Sequence, residues 1–320
     1  MDDVGTSRAR LATVKGLMVD QAAAQVIDAF RTRGVRAILL KGASFARWLY
    51  DDGGARSYVD VDLLVAPDQL TLAGEVLVDL GYVLRCAGAV SSEQADHATD
   101  WDRPGSPAID LHHTLSGRLG ASPARCWEVI SALASPALVG GSPAEVLAPA
   151  ALALLVVLHA EAGRQKTLDD LARALSRLEI AEWQAAMELA ELLDGLPAFG
   201  VGLRLLPEGA ALADELDVPT EASVELVIQA SSTLKLALPF DRVARARGLR
   251  AKASLVGREL VPTPSFVRLW FPPARGSQLG LVAGYLYRLT WVPWHAPRGL
   301  RSWYRARQIA AVTKDRPGSP

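Results

Sequence analysis

Cysteine is nearly missing from this chain: Cys86 and Cys126 are the only two in 320 residues. Two isolated cysteines supply neither a disulfide framework nor the spacing of a zinc site, and such usage suits a reducing cytoplasm. No run of 18 uncharged apolar residues occurs, which argues against a transmembrane helix. The first residues, Met1-Asp2-Asp3-Val4-Gly5, are acidic and lack the apolar stretch of a signal peptide, so a cytoplasmic location is expected. Internal repeats are absent too. Net charge is only −1, but residues 235–320 hold 16 of the 34 Lys and Arg and just 3 of the 35 acids. A tail of about +13 is therefore joined to a remainder of about −14, a split that points to separate parts. With 50% hydrophobic and 22% charged residues, the composition is that of an ordinary globular protein with one large or two moderate domains.

What is present is concentrated between residues 37 and 65. Ala37 to Leu40 is a short apolar run of the kind that forms a strand buried on both faces. Lys41-Gly42-Ala43-Ser44 follows as a small-residue turn. Phe45, Trp48 and Leu49 then recur at helical spacing, with Gly53-Gly54 placed to stop that helix. A second strand is expected from Val59 to Val65, with Asp60 and Asp62 at its start. Residues i and i+2 of a strand share a face, about 6.6 Å apart at about 3.3 Å per residue. Two carboxylates on one face repel each other. Either a divalent cation holds them, with hard oxygen ligands suiting Mg²⁺ or Mn²⁺, or they are a solvated pair at a strand end. Gly42 lets backbone approach a ligand, and a helix starting there presents free N–H groups to a phosphate. Ser44 either caps that helix or donates to a phosphate oxygen. A phosphate site one short helix ahead of an acid pair is the layout of a nucleotidyl transfer site.

The segment Leu40-Lys41-Gly42 through Tyr50, then Arg56, then Asp60-Val61-Asp62-Leu63-Leu64-Val65, resembles the uncharacterised bacterial nucleotidyltransferase family of the DNA polymerase β-like superfamily. That family's pattern is Leu-Lys-Gly, a Leu-Tyr, an Arg, then Asp-hydrophobic-Asp-Leu-Leu-Val. The chain departs from the superfamily at Gly42-Ala43, where Gly-Ser or Gly-Gly is usual, and at Val59, where a small or polar residue is usual. The resemblance implies an α+β fold, with a small mixed-sheet catalytic core over 1–119 and a helical domain over 120–236; the charge split sets apart a basic, aromatic-rich segment over 237–320. It implies a third carboxylate on a neighbouring strand, which falls on Asp110 of Ala108-Ile109-Asp110-Leu111-His112-His113. That acid would complete the metal shell and accept the proton of an attacking hydroxyl. Taken alone, Asp110 reads as well as a surface acid on an edge strand. His112 and His113 either touch phosphate or substrate, or are structural.

The same resemblance implies that His159, Lys166 and Asp170 contact nucleotide or acceptor, against the plainer reading of helix-end residues. In the implied reaction Asp60 and Asp62 hold one or two Mg²⁺ or Mn²⁺ ions and Asp110 completes the site. Gly42 and Ser44 position the β,γ-phosphates, and Lys41 or Arg56 neutralises their charge. An NTP, with ATP the expected donor, gives its nucleoside monophosphate to an unidentified hydroxyl on a small molecule, peptide or protein, and pyrophosphate leaves. The resemblance implies a bacterial accessory enzyme, of a kind sometimes placed beside peptide natural-product or polysaccharide biosynthesis genes. No template nucleic acid is expected. The alternative is a non-catalytic binding or scaffold protein of the same fold, working through its basic C-terminal surface.

Elsewhere the periodicity predicts a helix over 8–33, a helix opened by Pro67-Asp68, a strand at 81–84, and two short strands within 86–107. Ser122-Pro123 reads as a cap and first helical residue. Ser142-Pro143-Ala144-Glu145 has the form of a capping box, opening a helix to about residue 162 whose apolar run, 146–158, is central and buried. Further helices are expected over 182–193, over 197–216 with a break at Gly200 or Pro207, and over 219–236. Arg242 to Arg258 reads as one basic helix. Basic residues interleaved with Tyr285, Tyr287, Trp291, Trp294 and Trp303 serve nucleic acid, anionic lipid or an acidic partner, or else pack back on the acidic remainder. A membrane or partner contact through 237–310 follows as an expectation, and 315–320 is expected to be disordered.

Overall fold

The computed structural model describes residues 3–50, 56–85, 97–162, 164–231 and 237–314. The expected helix stop at Gly53-Gly54, the first part of the 86–107 stretch and the tail from Asp315 lie outside the described residues. Seven strands form one mixed sheet: β1 Ala37–Leu39, β2 Asp60–Val65, β3 Val83–Leu84, β4 Ala98–Asp102, β5 Ala108–His112, β6 Ala134–Val139 and β7 Ser142–Leu147. Their order across the sheet is β3-β4-β5-β2-β1-β7-β6. β2 runs antiparallel to β1 and parallel to β5, and β1 runs parallel to β7.

The first helices are α1 Asp3–Thr32, α2 Ala43–Leu49, α3 Leu70–Asp79 and α4 Pro123–Ala132. They follow their sequence signals closely. The hydroxyl of Ser122 accepts from the Arg125 N–H, capping α4 with Pro123 at its first position. Alternate residues of the central strands, among them Val61, Leu63, Val65, Ile109 and Leu111, bury one sheet face against Val26, Phe30, Val76 and Leu77 of α1 and α3. That alternation leaves the other side chains of β2 and β5 on the opposite face.

One expectation is corrected here. Ser142-Pro143-Ala144-Glu145 opens no helix; it begins β7, paired with β6 across Gly140-Gly141. Both glycines have positive φ, 55° and 86°, the backbone demanded by a two-residue hairpin turn. The strand is fixed from both sides, since Ile38 of β1 lies in register with Glu145. Arg36, just ahead of β1, grips that carboxylate with two hydrogen bonds of 2.6 and 2.9 Å. The helix begins instead at Pro149. A Cβ on Gly140 would stand 2.5 Å from the Asp20 carbonyl oxygen on α1. Gly140→Ala is therefore expected to lose about 2 kcal/mol or more of stability, read as a lowered denaturant midpoint at unchanged slope.

The remaining helices are α5 Pro149–His159, α6 Gln165–Arg177, α7 Ile180–Leu192, α8 Leu196–Leu203, α9 Pro207–Glu215, α10 Val224–Ser231, α11 Ala237–Arg245, α12 Leu249–Leu260, α13 Pro264–Trp270 and α14 Gln278–Lys314. The fold is thus α+β, with a mixed sheet followed by a long helical region. As the apolar run requires, Ala151 to Leu158 of α5 are all buried. The chain breaks between α8 and α9 as Pro207 predicts. The basic stretch 242–258 is two helices rather than one, because Gly248, at φ 87°, ends the run between α11 and α12. Two compact units result. The first comprises the described residues of Met1–Arg85, Ser91–Val156 and Ser176–Gly195; the second, those of Val157–Leu175 and Leu196–Pro320.

Candidate active site

The acids stand where the sheet is most constrained. Asp60 is the first residue of β2, and Asp62 lies two residues in, on the same face. In the parallel pairing of β2 with β5, Asp62 is directly opposite Asp110. In the antiparallel pairing of β4 with β5, Asp110 is directly opposite Asp100. Three carboxylates therefore form a row across three adjacent strands, with Asp60 flanking it.

Like charges this close need counter-charge, and most of it reaches Asp62. This residue is 5% exposed. Its Oδ1 accepts from the Lys41 ammonium at 2.7 Å and is 3.1 Å from His112 Nε2. Burial by itself would raise the Asp62 carboxyl, but the Lys41 charge and the His112 hydrogen bond outweigh it and hold the group far below the usual carboxylate range. Facing a carboxylate oxygen, Nε2 of His112 carries the ring proton, so the imidazole orients Asp62.

Asp110 has the opposite fate. Burial, then the charges of Asp62, Asp100 and Asp60, push its carboxyl up to about 8. The pair resolves as one firmly ionised acid and one that binds a proton near neutrality. Among the described residues, ligand atoms of Asp62, Asp110 and His112 lie within 4.8 Å of one another, a grouping able to hold a metal ion. Asp60 lies outside that grouping, though near enough for its charge to act on Asp110.

The turn before α2 supports this cluster. Gly42 caps the helix at φ 64°, where a Cβ would press on the Tyr58 ring at 3.2 Å. Ser44 is buried and its hydroxyl donates to the Leu39 carbonyl at 3.2 Å, tying the turn to β1. The Arg56 guanidinium lies over the Phe45 ring of α2, 5.0 Å from its centroid. Of the residues singled out in the sequence, Lys41 and His112 contact Asp62 directly, and a carboxylate oxygen of Asp110 comes within 4.8 Å of it. His159, at the end of α5, and Lys166 and Asp170, both on α6, belong to the second unit; Asp170 is buried there.

Two members of the site were not singled out as site residues from sequence. Asp100 lies in the run Thr99-Asp100-Trp101-Asp102, whose i, i+2 acids were a visible sign once a strand was assigned there. Burial raises the Asp100 carboxyl, while Arg85, which forks onto Asp102 at 2.5 and 2.9 Å, lowers it. The His97 ring lies tilted beside that of His112, with centroids 5.5 Å apart.

A family model described as an uncharacterised nucleotidyltransferase matches residues 6–208. No curated protein matches the chain. Among solved structures it is similar to the solution structure of the antibiotic-resistance factor ANT(2'')-Ia, at 12% identity, over 56% of this chain and 93% of that one, with a TM-score of 0.39.

Proposed function

The chain belongs to the uncharacterised nucleotidyltransferase family, and on that premise we propose that it moves a nucleoside monophosphate from an NTP to a hydroxyl acceptor, with a divalent cation. The observation that carries this reading is the juxtaposition of Asp62 and Asp110, directly opposite each other on neighbouring central strands. The donor set fits a hard cation: the buried carboxylate of Asp62 and the half-buried one of Asp110 stand side by side, and a divalent charge would relieve their mutual repulsion. Asp60, Asp62 and Asp110 would hold Mg²⁺ or Mn²⁺. Such an ion, when bound, supplies Lewis-acid polarisation of the phosphoryl oxygens and charge neutralisation of the leaving group.

The chain's own groups do the rest. Asp110 takes the proton from the acceptor hydroxyl as that oxygen forms its bond to the α-phosphorus and the α–β anhydride bond breaks, releasing pyrophosphate. Lys41 and Arg56 supply positive charge toward the triphosphate, and the Gly42–Ser44 turn sets the approach of its phosphates. His112 keeps Asp62 aimed. His159, Lys166 and Asp170 remain proposed contacts to nucleotide or acceptor, and ATP the proposed donor.

Calorimetric titration with each of the four NTPs, in Mg²⁺ or Mn²⁺, tests this. Metal-dependent binding of one or more nucleotides is expected in the native protein and not in Asp60→Asn/Asp62→Asn. If no NTP binds, or if the double variant binds as well as the native chain, the proposal fails and a binding or scaffold role takes its place.

A further inference from the structure

The longest helix of the second unit leaves one face bare. At 100° per residue, the side of α14 that packs inward carries Gly284, Arg288, Gly299 and Ala306, all buried. The opposite side presents Leu279, Leu286 and Tyr304, which are 84%, 60% and 59% exposed, with Trp294, 76% exposed, on its flank. Arg288 is the only Lys, Arg, Asp or Glu between Gln278 and Pro297. It is turned inward, donating to the Glu259 carbonyl at 2.8 Å and lying over the Phe266 and Trp270 rings. The outward face is thus uncharged for about 30 Å of helix at about 1.5 Å per residue. Arginines then follow at once: Arg298, Arg301, Arg305 and Arg307 are all exposed.

The surroundings share that sign. Residues 237–314 hold 14 Lys and Arg against two acids, Asp241 and Glu259. Both acids are already engaged: Asp241 by Arg245 and by the Trp303 indole N–H at 3.1 Å, Glu259 by Arg288. α12 buries none of its residues and exposes Arg250 and Arg258 beside Leu249, which is 86% exposed.

We infer that this face docks on the surface of an anionic lipid bilayer. The apolar side of α14 enters the boundary between headgroups and acyl chains, Trp294 lies at headgroup depth, and the arginines that follow bind lipid phosphates. The charge decides between occupants. A second copy on a two-fold axis would set this basic surface against itself. Nucleic acid would answer the arginines but leave the uncharged apolar side in water. None of the helices searched among the described residues is long and apolar enough to cross a membrane, so the arrangement is one of lying on the bilayer. The inference does not depend on the catalytic reading.

Flotation of the full chain with vesicles tests it, using phosphatidylcholine alone and phosphatidylcholine mixed with phosphatidylglycerol, at low and high salt. Binding to the mixed vesicles alone, weakened by salt, is the expected result. Leu279→Glu/Leu286→Glu and, separately, Arg298→Glu/Arg301→Glu should each lower partitioning about tenfold or more, with circular dichroism and NTP binding unchanged. No binding to the mixed vesicles at low salt, or binding that neither pair weakens, would overturn the inference. So would dimerisation by sedimentation velocity that the leucine pair abolishes while vesicles are ignored, or retention on polyglutamate but not on vesicles.

Discussion

Asp62→Asn is expected to reduce nucleotidyl transfer by about three orders of magnitude or more, measured as pyrophosphate release at saturating NTP and metal. A catalytic divalent ion contributes several kcal/mol of transition-state stabilisation, and each 1.36 kcal/mol is about tenfold in rate. Removing the most deeply buried of the three acids in the row forfeits much of that. The substitution also has a structural cost. The Lys41 side chain is 13% exposed and donates to Asp62 at 2.7 Å, so an amide at this position leaves a half-answered cation in a dry place. Breaking a buried pair from one side costs about 3–5 kcal/mol, and the acceptor oxygen that Asn retains puts this case at the low end. Lys41→Met added to Asp62→Asn should recover most of the lost stability and none of the activity. A double-mutant cycle in denaturant separates the two effects. Full activity in Asp62→Asn would remove this residue from the site, and additive stability losses would remove the ion pair from the account.

Asp110→Asn should behave in the opposite way on stability while also losing transfer. The Asp110 carboxyl ionises near 3.9 in an unfolded chain and is pushed up to about 8 in the fold, by burial and then by Asp62, Asp100 and Asp60. Between those values the folded protein holds a proton that the unfolded chain has released. The native protein without metal therefore loses about 1.4 kcal/mol of stability per pH unit from this group as pH rises through that window. Its contribution is fully present below about 4 and spent by about 8. Asn carries no such proton. In EDTA the variant should melt several degrees above the native chain at pH 8, with a gap that narrows toward pH 5. Adding Mn²⁺ should raise the native melting point and close the gap, since a ligand that binds only the folded state stabilises it. A variant no more stable than the native chain at pH 8 would mean that Asp110 is not held protonated.

The acid pair was legible because a strand has a period of two and few other structures put two carboxylates on one face. Asp110 was legible as a lone acid in an apolar strand, with the family resemblance giving it a role. What the chain does over longer distances was not. His112 meets Asp62 across 50 residues of sequence, and no local pattern records that contact. Asp100 was lost because β4 follows a stretch without periodicity, and Thr-Asp-Trp-Asp lacks the apolar alternation by which strands announce themselves. At Ser142 the local signal was misleading: the capping-box residues were present, yet pairing with β1 and the Gly140-Gly141 turn decided the outcome. Gly248 acted the same way in miniature, dividing one expected helix into two.

β2 is hydrogen-bonded along both edges, to β1 and to β5. A slip of one residue would send Asp60 and Asp62 into the hydrophobic core and turn Val61 and Leu63 outward. The spacing and aim of these two carboxylates are therefore underwritten by the same apolar burial that folds the domain. An insertion or deletion within 60–65 cannot merely retune the chemistry; it must dismantle the core.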